Sequence, residues 1–105
     1  MPTASEISTM MVERFSADKA GDLNAVIQFD LSGDNGGQFY LNVADGAAEA
    51  HEGQAENPRM TLKSSTDEFY KILTGETKAM NAFMTGKIKI TGDMGLAMKL
   101  QPMLG

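Results

Sequence analysis

The chain of 105 residues has one histidine, His51, set between Ala50 and Glu52 with Glu49 two positions earlier. An imidazole among carboxylates is ligand chemistry for a divalent metal. A lone His with no second His or Cys at ligand spacing does not complete such a site. The same histidine would have to serve any Ser-His-Asp arrangement, and with no cysteine there is no Cys-His pair. Asp30 with Asp34, and Glu49 with Glu52, are carboxylate pairs of the kind used in acid–base work, but they fall on strand and turn positions that read as solvated surface. Gly86-Lys87 resembles the end of a phosphate loop. Ile88 then stands where Ser or Thr is needed, and Asn81 where the first Gly is needed. Gly92-Asp93-Met94-Gly95 lacks the dinucleotide fingerprint and reads as a strand-to-helix turn. The expectation is no catalytic residue, no metal and no cofactor.

Apolar recognition is better represented. Nine residues are methionine. Met80, Met84, Met94, Met98 and Met103 fall in the last quarter, and Met80/Met84 and Met94/Met98 are spaced four apart. Met is flexible and polarizable, so such a cluster suits either irregular core packing or an adaptable surface for greasy ligands. The stretch Met94–Leu104 has almost no polar side, and a helix apolar nearly all round needs cover on two sides. In so short a chain one side is expected on a sheet and the other on a space that a lipid can fill.

Charge excludes some partners. The net charge is −5, which argues against nucleic acid, where Lys and Arg clusters drive binding. Residues 1–57 carry ten acids and two bases, whereas residues 58–105 carry four acids and seven bases. The basic half is also the apolar half, so a transient contact with an anionic membrane surface is one expectation. No apolar run reaches the roughly 18 residues that span a bilayer. The first ten residues lack a signal-peptide pattern, and the expected location is the cytoplasm.

The elements that must position these residues follow from local pattern. Thr3-Ala4-Ser5-Glu6 is a capping box, and Ile7, Met10, Met11 and Phe15 share a helix face, predicting a helix over 4–17 that ends near Ala20-Gly21. Leu23, Ala25, Ile27, Phe29 and Leu31 alternate with polar residues, as do Phe39, Leu41 and Val43, predicting a hairpin. Asp45-Gly46 is a tight turn into a poor, Ala- and Glu-rich edge strand over 47–53. Met60 and Leu62 mark a fourth strand. Ser65-Thr66-Asp67-Glu68 caps a helix carrying Phe69, Ile72 and Leu73, closed by Gly75. Thr77 is expected to cap a short helix with Met80, Phe83 and Met84 inward, closed by Gly86. Ile88 and Ile90 face one way on a fifth strand, with Lys87, Lys89 and Thr91 facing the other. Asp93 caps the last helix, which should kink or stop near Pro102.

The run Ser65-Thr66-Asp67-Glu68-Phe69, Leu73-Thr74-Gly75, and Ala82 through Leu100 (AFMTGKIKITGDMGLAMKL) resembles the sterol carrier protein type-2 family over roughly residues 58–104. Over residues 1–57 the likeness is one of element order. The resemblance implies an α+β fold: a five-stranded mixed β-sheet with helices packed on one face, enclosing an apolar tunnel. It also implies uptake of fatty acid, fatty acyl-CoA, sterol or other lipids, by a carrier that is not itself an enzyme. Eukaryotic members often end in a peroxisomal tripeptide. Met103-Leu104-Gly105 does not fit one, which sets the expectation of a bacterial-type stand-alone domain.

Residues 1–105 are therefore expected to form a single lipid-binding domain, a monomer or weak dimer. Met80, Phe83, Met84, Met94, Met98, Leu100 and Met103 are the candidate lining. Lys87, Lys89 and Lys99 are the candidate contacts for an anionic head group. The rival reading uses the same apolar helix for docking on a partner protein or a second copy of the chain.

Overall fold

Strict alternation puts one apolar row on each central strand, and those rows decide which face of the sheet is covered. In the computed structural model, residues 3–14 and 24–104 are described, the side chains of Arg14 and of 100–104 excepted. The strands are β1 (Ala25–Ser32), β2 (Gly37–Ala44), β3 (Ala47–Glu52), β4 (Met60–Ser65) and β5 (Ile88–Gly92). They form one five-stranded sheet in the order β3-β2-β1-β4-β5. β1 and β4 run parallel at its centre and every other neighbouring pair is antiparallel, so the sheet is mixed. The hairpin and the edge placement of β3 are as the sequence predicts. Leu23, expected to begin β1, lies outside the described residues.

Register sets Phe29 opposite Phe39 on one side and Leu62 on the other, with Leu62 opposite Ile90 in turn. That row and its neighbours form the covered face. The Phe29 ring stacks on Phe39 at 4.9 Å and meets Phe69 at 5.6 Å, tying the sheet to the helix above it. The opposite face carries Gln28, Asp30, Tyr40, Asn42, Thr61, Lys63 and Lys89.

Four helices are found among the described residues: α1 (Ala4–Arg14), α2 (Thr66–Leu73), α3 (Ala79–Met84) and α4 (Met94–Leu104). The first capping box is formed: the Glu6 N–H donates to Thr3 Oγ1 at 3.2 Å and the Thr3 N–H donates to Glu6 Oε1 at 3.3 Å. Buried Ala4, Ile7 and Met11 seat α1 over β2 and β3. Phe15 and Ala20-Gly21, expected in and after this helix, lie outside the described residues. Ser65 caps α2 by accepting from the Glu68 N–H at 3.1 Å, and Phe69, Ile72 and Leu73 are buried beneath that helix.

Two expectations about α3 are corrected. Its N-cap is Lys78, which makes no side-chain capping bond, and not Thr77. Its inward residue is Ala82, wholly buried, with Ala79 one turn earlier half-buried; Met80, Phe83 and Met84 are exposed instead. Small alanines at i, i+3 spacing let the short helix lie close to its neighbours, and the larger side chains fall on the adjoining side. The end is as expected, a turn in which the Lys87 N–H donates to Ala82 O at 2.8 Å and the Gly86 N–H donates to Phe83 O at 3.2 Å. Gly86, at φ 79°, supplies the left-handed residue that this closure needs. α4 continues two residues beyond Pro102, where a missing N–H removes only one bond of the last turn.

Candidate functional site

β4 and β5 end the sheet, and their apolar row is only partly roofed. Met60 and Leu62 of β4 and Ile88 and Ile90 of β5 form the floor of a groove. Ala79, Met80 and Phe83 of α3 make one wall, and Met94, Ala97 and Met98 of α4 make the other. Every lining residue is apolar. The floor is buried apart from half-buried Ile90, while Met80 and Phe83 are 40% and 41% exposed and Met94 and Met98 are 47% and 63%.

The cavity volume is about 90 Å³ and it opens to solvent. Pockets that enclose small molecules measure roughly 300–1,000 Å³. In place of the enclosed tunnel that the family resemblance implies, the described residues form a short open groove. Much of the rim consists of unbranched Met side chains with three rotatable bonds each, so its width is set by rotamers more than by backbone. Larger hollows of 280–340 Å³ exist elsewhere, but they are lined mainly by polar and charged residues, which suit a hydrocarbon poorly.

The start of α4 is fixed tightly. The Asp93 N–H donates to Arg59 O at 2.9 Å, placing the turn directly against the strand that begins at Met60. Asp93 Oδ1 accepts from the Leu96 N–H at 3.1 Å, the helix cap expected from sequence. Asp93 Oδ2 accepts from Arg59 Nη2 at 2.6 Å. The Leu96 hydrogen bond, then the Arg59 hydrogen bond, hold the Asp93 carboxyl below its ordinary range; desolvation opposes them, and the Arg59 charge and the Gly95 N–H add to the lowering. At Gly92, φ is 101° and an added Cβ would lie 2.5 Å from Arg59 O, so only glycine lets the two backbones approach. Leu96, buried to 2%, anchors α4 while Met94 and Met98 remain at the rim.

Met80, Phe83, Met94 and Met98 are brought together as walls of one groove. Met84 is not: it is 76% exposed and stands outside the walls, one turn beyond Met80 where α3 closes. The side chains of Leu100 and Met103 lie outside the described residues. The floor residues Met60, Leu62, Ile88 and Ile90 were absent from the candidate lining, although their period-two pattern marks one strand face.

The three candidate lysines do not converge. Lys87 Nζ lies 3.7 Å from Glu68 Oε2 and is partly neutralised there, with Lys71 at 3.9 Å from the same carboxylate's Oε1. Lys89 sits opposite Lys63 in register, on the sheet face away from the groove. Lys99 is exposed on α4 next to Met98. His51 stacks on Tyr40 at 5.2 Å and lies 3.5 Å from Glu49. Among the described residues there is no group of three metal-ligating side chains, and no helix is long and apolar enough to cross a membrane.

Comparison with known proteins places these observations. The profile of the SCP-2 sterol transfer family matches residues 11–105. Hydroxysteroid dehydrogenase-like protein 2 of Bos taurus is 34% identical over 100 residues, which cover 94% of this chain and 24% of that protein. The Xenopus tropicalis protein of that name is 38% identical over 81 residues, covering 76% of this chain and 19% of its own length. This chain therefore spans a quarter or less of these relatives. In fold it matches the sterol carrier protein domain 2 of Helicoverpa armigera, with TM-score 0.79, 26% identity, and 94% and 83% of the two chains covered. Palmitated SCP2L2 from Aedes aegypti matches with TM-score 0.70 and 19% identity over 90% of this chain and 91% of that one.

Proposed function

This chain belongs to the SCP-2 sterol transfer family, and on that premise we propose that it binds a long-chain lipid, a fatty acid or fatty acyl-CoA, with the hydrocarbon tail in the β4–β5 groove. The observation that carries this reading is the groove itself, whose ten lining residues include no charged or hydrogen-bonding side chain. Such a wall recognises hydrocarbon and little else. Each methylene buried gains about 0.8 kcal/mol, so a tail of about a dozen carbons gains on the order of 10 kcal/mol before ordering and association reduce it. The groove in its present form takes only part of such a tail. Rotation of Met80, Met94 and Met98 about their side-chain bonds is the cheapest way to admit the rest.

Residues 1–105 act in this reading as one binding unit in the cytoplasm, loading and unloading lipid without transforming it, with transient contact at a membrane surface. Lys99, beside Met98, is the lysine best placed for a head group.

Native mass spectrometry of protein purified without detergent tests the proposal. A co-purified acyl mass, or saturable uptake of a fluorescent long-chain fatty acid at one per chain, supports it. The exposure of Met98 on the groove wall and of Met84 just outside it, at 63% and 76%, favours a second reading in which this surface docks on another copy of the chain. A stable dimer that takes up no fatty acid would support that reading.

A further inference from the structure

The described methionines run from buried to exposed, with Met10 between. Met60 and Met11 are buried, at 1% and 8%, while Met80, Met94 and Met98 are 40%, 47% and 63% exposed and all three stand on the walls of one groove. The chain contains no cysteine and no tryptophan. A peroxide therefore meets no thiol here, and thioethers are the most oxidisable groups on the molecule. Oxidation follows access, and a sulfoxide replaces a flexible apolar side chain by a polar one.

We infer that the sulfurs of Met80, Met94 and Met98 form a peroxide-sensitive modification site whose oxidation turns the groove from lipid-binding to lipid-releasing. The step is complete with hydrogen peroxide as oxidant. A sulfur lone pair attacks one peroxide oxygen, the S–O bond forms, the O–O bond breaks, and the second oxygen leaves as water with both hydrogens. Sulfur loses the two electrons that peroxide gains. Reversal by methionine sulfoxide reductase takes two thiols, which end as a disulfide while the oxygen leaves as water.

The consequence is local. The walls hold no side-chain donor to pair with a new sulfoxide oxygen, so that oxygen stays hydrated only while the groove is empty. A hydrocarbon tail would strip that water without replacing it. Met84 supplies an internal comparison. It is the most exposed of the four methionines on α3 and α4 whose side chains are described, yet it stands outside the groove, so its oxidation should not alter binding.

This inference rests on the lipid-binding reading above. The full chain would be treated with graded hydrogen peroxide and divided between peptide mass spectrometry and titration with a fluorescent long-chain fatty acid. The expected result is a gain of one oxygen at Met80, Met84, Met94 and Met98 before Met11 or Met60, with the dissociation constant raised at least about tenfold and restored by the reductase. In the triple variant Met80→Leu, Met94→Leu, Met98→Leu, whatever affinity its altered walls give before treatment, peroxide should leave the dissociation constant unchanged, and Met84→Leu should stay as sensitive as the parent. Full oxidation of the three sulfurs with unchanged uptake overturns the switch and leaves lipid binding standing. Oxidation of Met60 as early as Met98 also overturns it. Untreated protein that takes up no fatty acid overturns both readings.

Discussion

Arg59 Nη2 lies 2.6 Å from Asp93 Oδ2, and this contact joins the residue before β4 to the residue that caps α4. The floor and one wall of the groove are thus held together at a single corner. Arg59 Nη1 donates to Asn24 O at 3.2 Å, so the same guanidinium also reaches the residue before β1. The two oxygens of Asp93 have separate tasks, Oδ1 for the helix and Oδ2 for the strand.

That division makes Asp93 a source of acid sensitivity. Its folded-state pKa is lowered, so its contribution to stability is present above the ordinary carboxylate range. It is lost as pH falls through the folded value. Melting temperature measured from neutral pH to strongly acid pH should therefore fall partly because of this group. Asp93→Asn keeps an acceptor for the Leu96 N–H and removes the ion pair, so it should flatten that part of the profile. Asp93→Ala loses the cap as well and should melt lower than Asp93→Asn at neutral pH. Both side chains of the pair are substantially exposed, so salt should weaken the difference.

Gly92 is held to glycine by two separate demands, which a second glycine allows to be measured apart. Gly33 has φ 108° with open space around it, whereas Gly92 has φ 101° and Arg59 O at 2.5 Å from its missing Cβ. Gly33→Ala should cost about 1 kcal/mol in urea unfolding, from backbone strain alone. Gly92→Ala should cost on the order of 2–3 kcal/mol or more, because a backbone carbonyl must also move. Equal losses at the two sites would show that the close approach is relaxed without penalty.

Phe69 and Phe83 separate core from groove. Phe69 is fully buried beneath α2 and touches the Phe29 ring, so Phe69→Ala should lose about 3–5 kcal/mol of stability. Phe83 is 41% exposed on the groove wall. Phe83→Ala should leave the unfolding free energy from urea titration within roughly 1 kcal/mol of the parent while weakening fatty acid uptake severalfold. A large stability loss at Phe83 with uptake intact would mean that its ring serves packing and not ligand.

The contrast between these rings also explains what was legible beforehand. Strand faces, the hairpin, the Ser65 and Asp93 caps and the edge position of β3 are local facts, fixed by period two or by one side chain reaching three residues along. The Met80, Phe83, Met84 stripe is local too, and i, i+3, i+4 spacing does place its residues on one side of α3. Spacing does not say what that side faces. Ala79 and Ala82, small enough to be passed over as helix filler, make the contact with the fold and turn the larger residues outward. The lysines have the same difficulty: Lys87 meets Glu68 only because α2 and β5 are brought together by the sheet.

Gln28 lies on the sheet face opposite the groove, yet it is only 6% exposed, because the segment between β3 and β4 crosses over it. Its Nε2 donates to Gly53 O at 3.1 Å and to Phe39 O at 3.2 Å, and its Oε1 accepts from the Ala55 N–H at 2.7 Å. One amide thus satisfies both a carbonyl and an N–H of the crossing segment, which supplies the connection that sets β4 parallel to β1. Gln28→Leu matches the amide roughly in volume and removes both partners, leaving groups that each cost about 1–3 kcal/mol if they stay buried. The segment should respond by lifting into water. Hydrogen exchange at the Ala55 amide and proteolysis between Gly53 and Arg59 should both rise. Fatty acid uptake should hold, since the groove is walled from the other side of the sheet; an uptake loss as large as the exchange change would mean that this crossing also governs the spacing of β4 and β5.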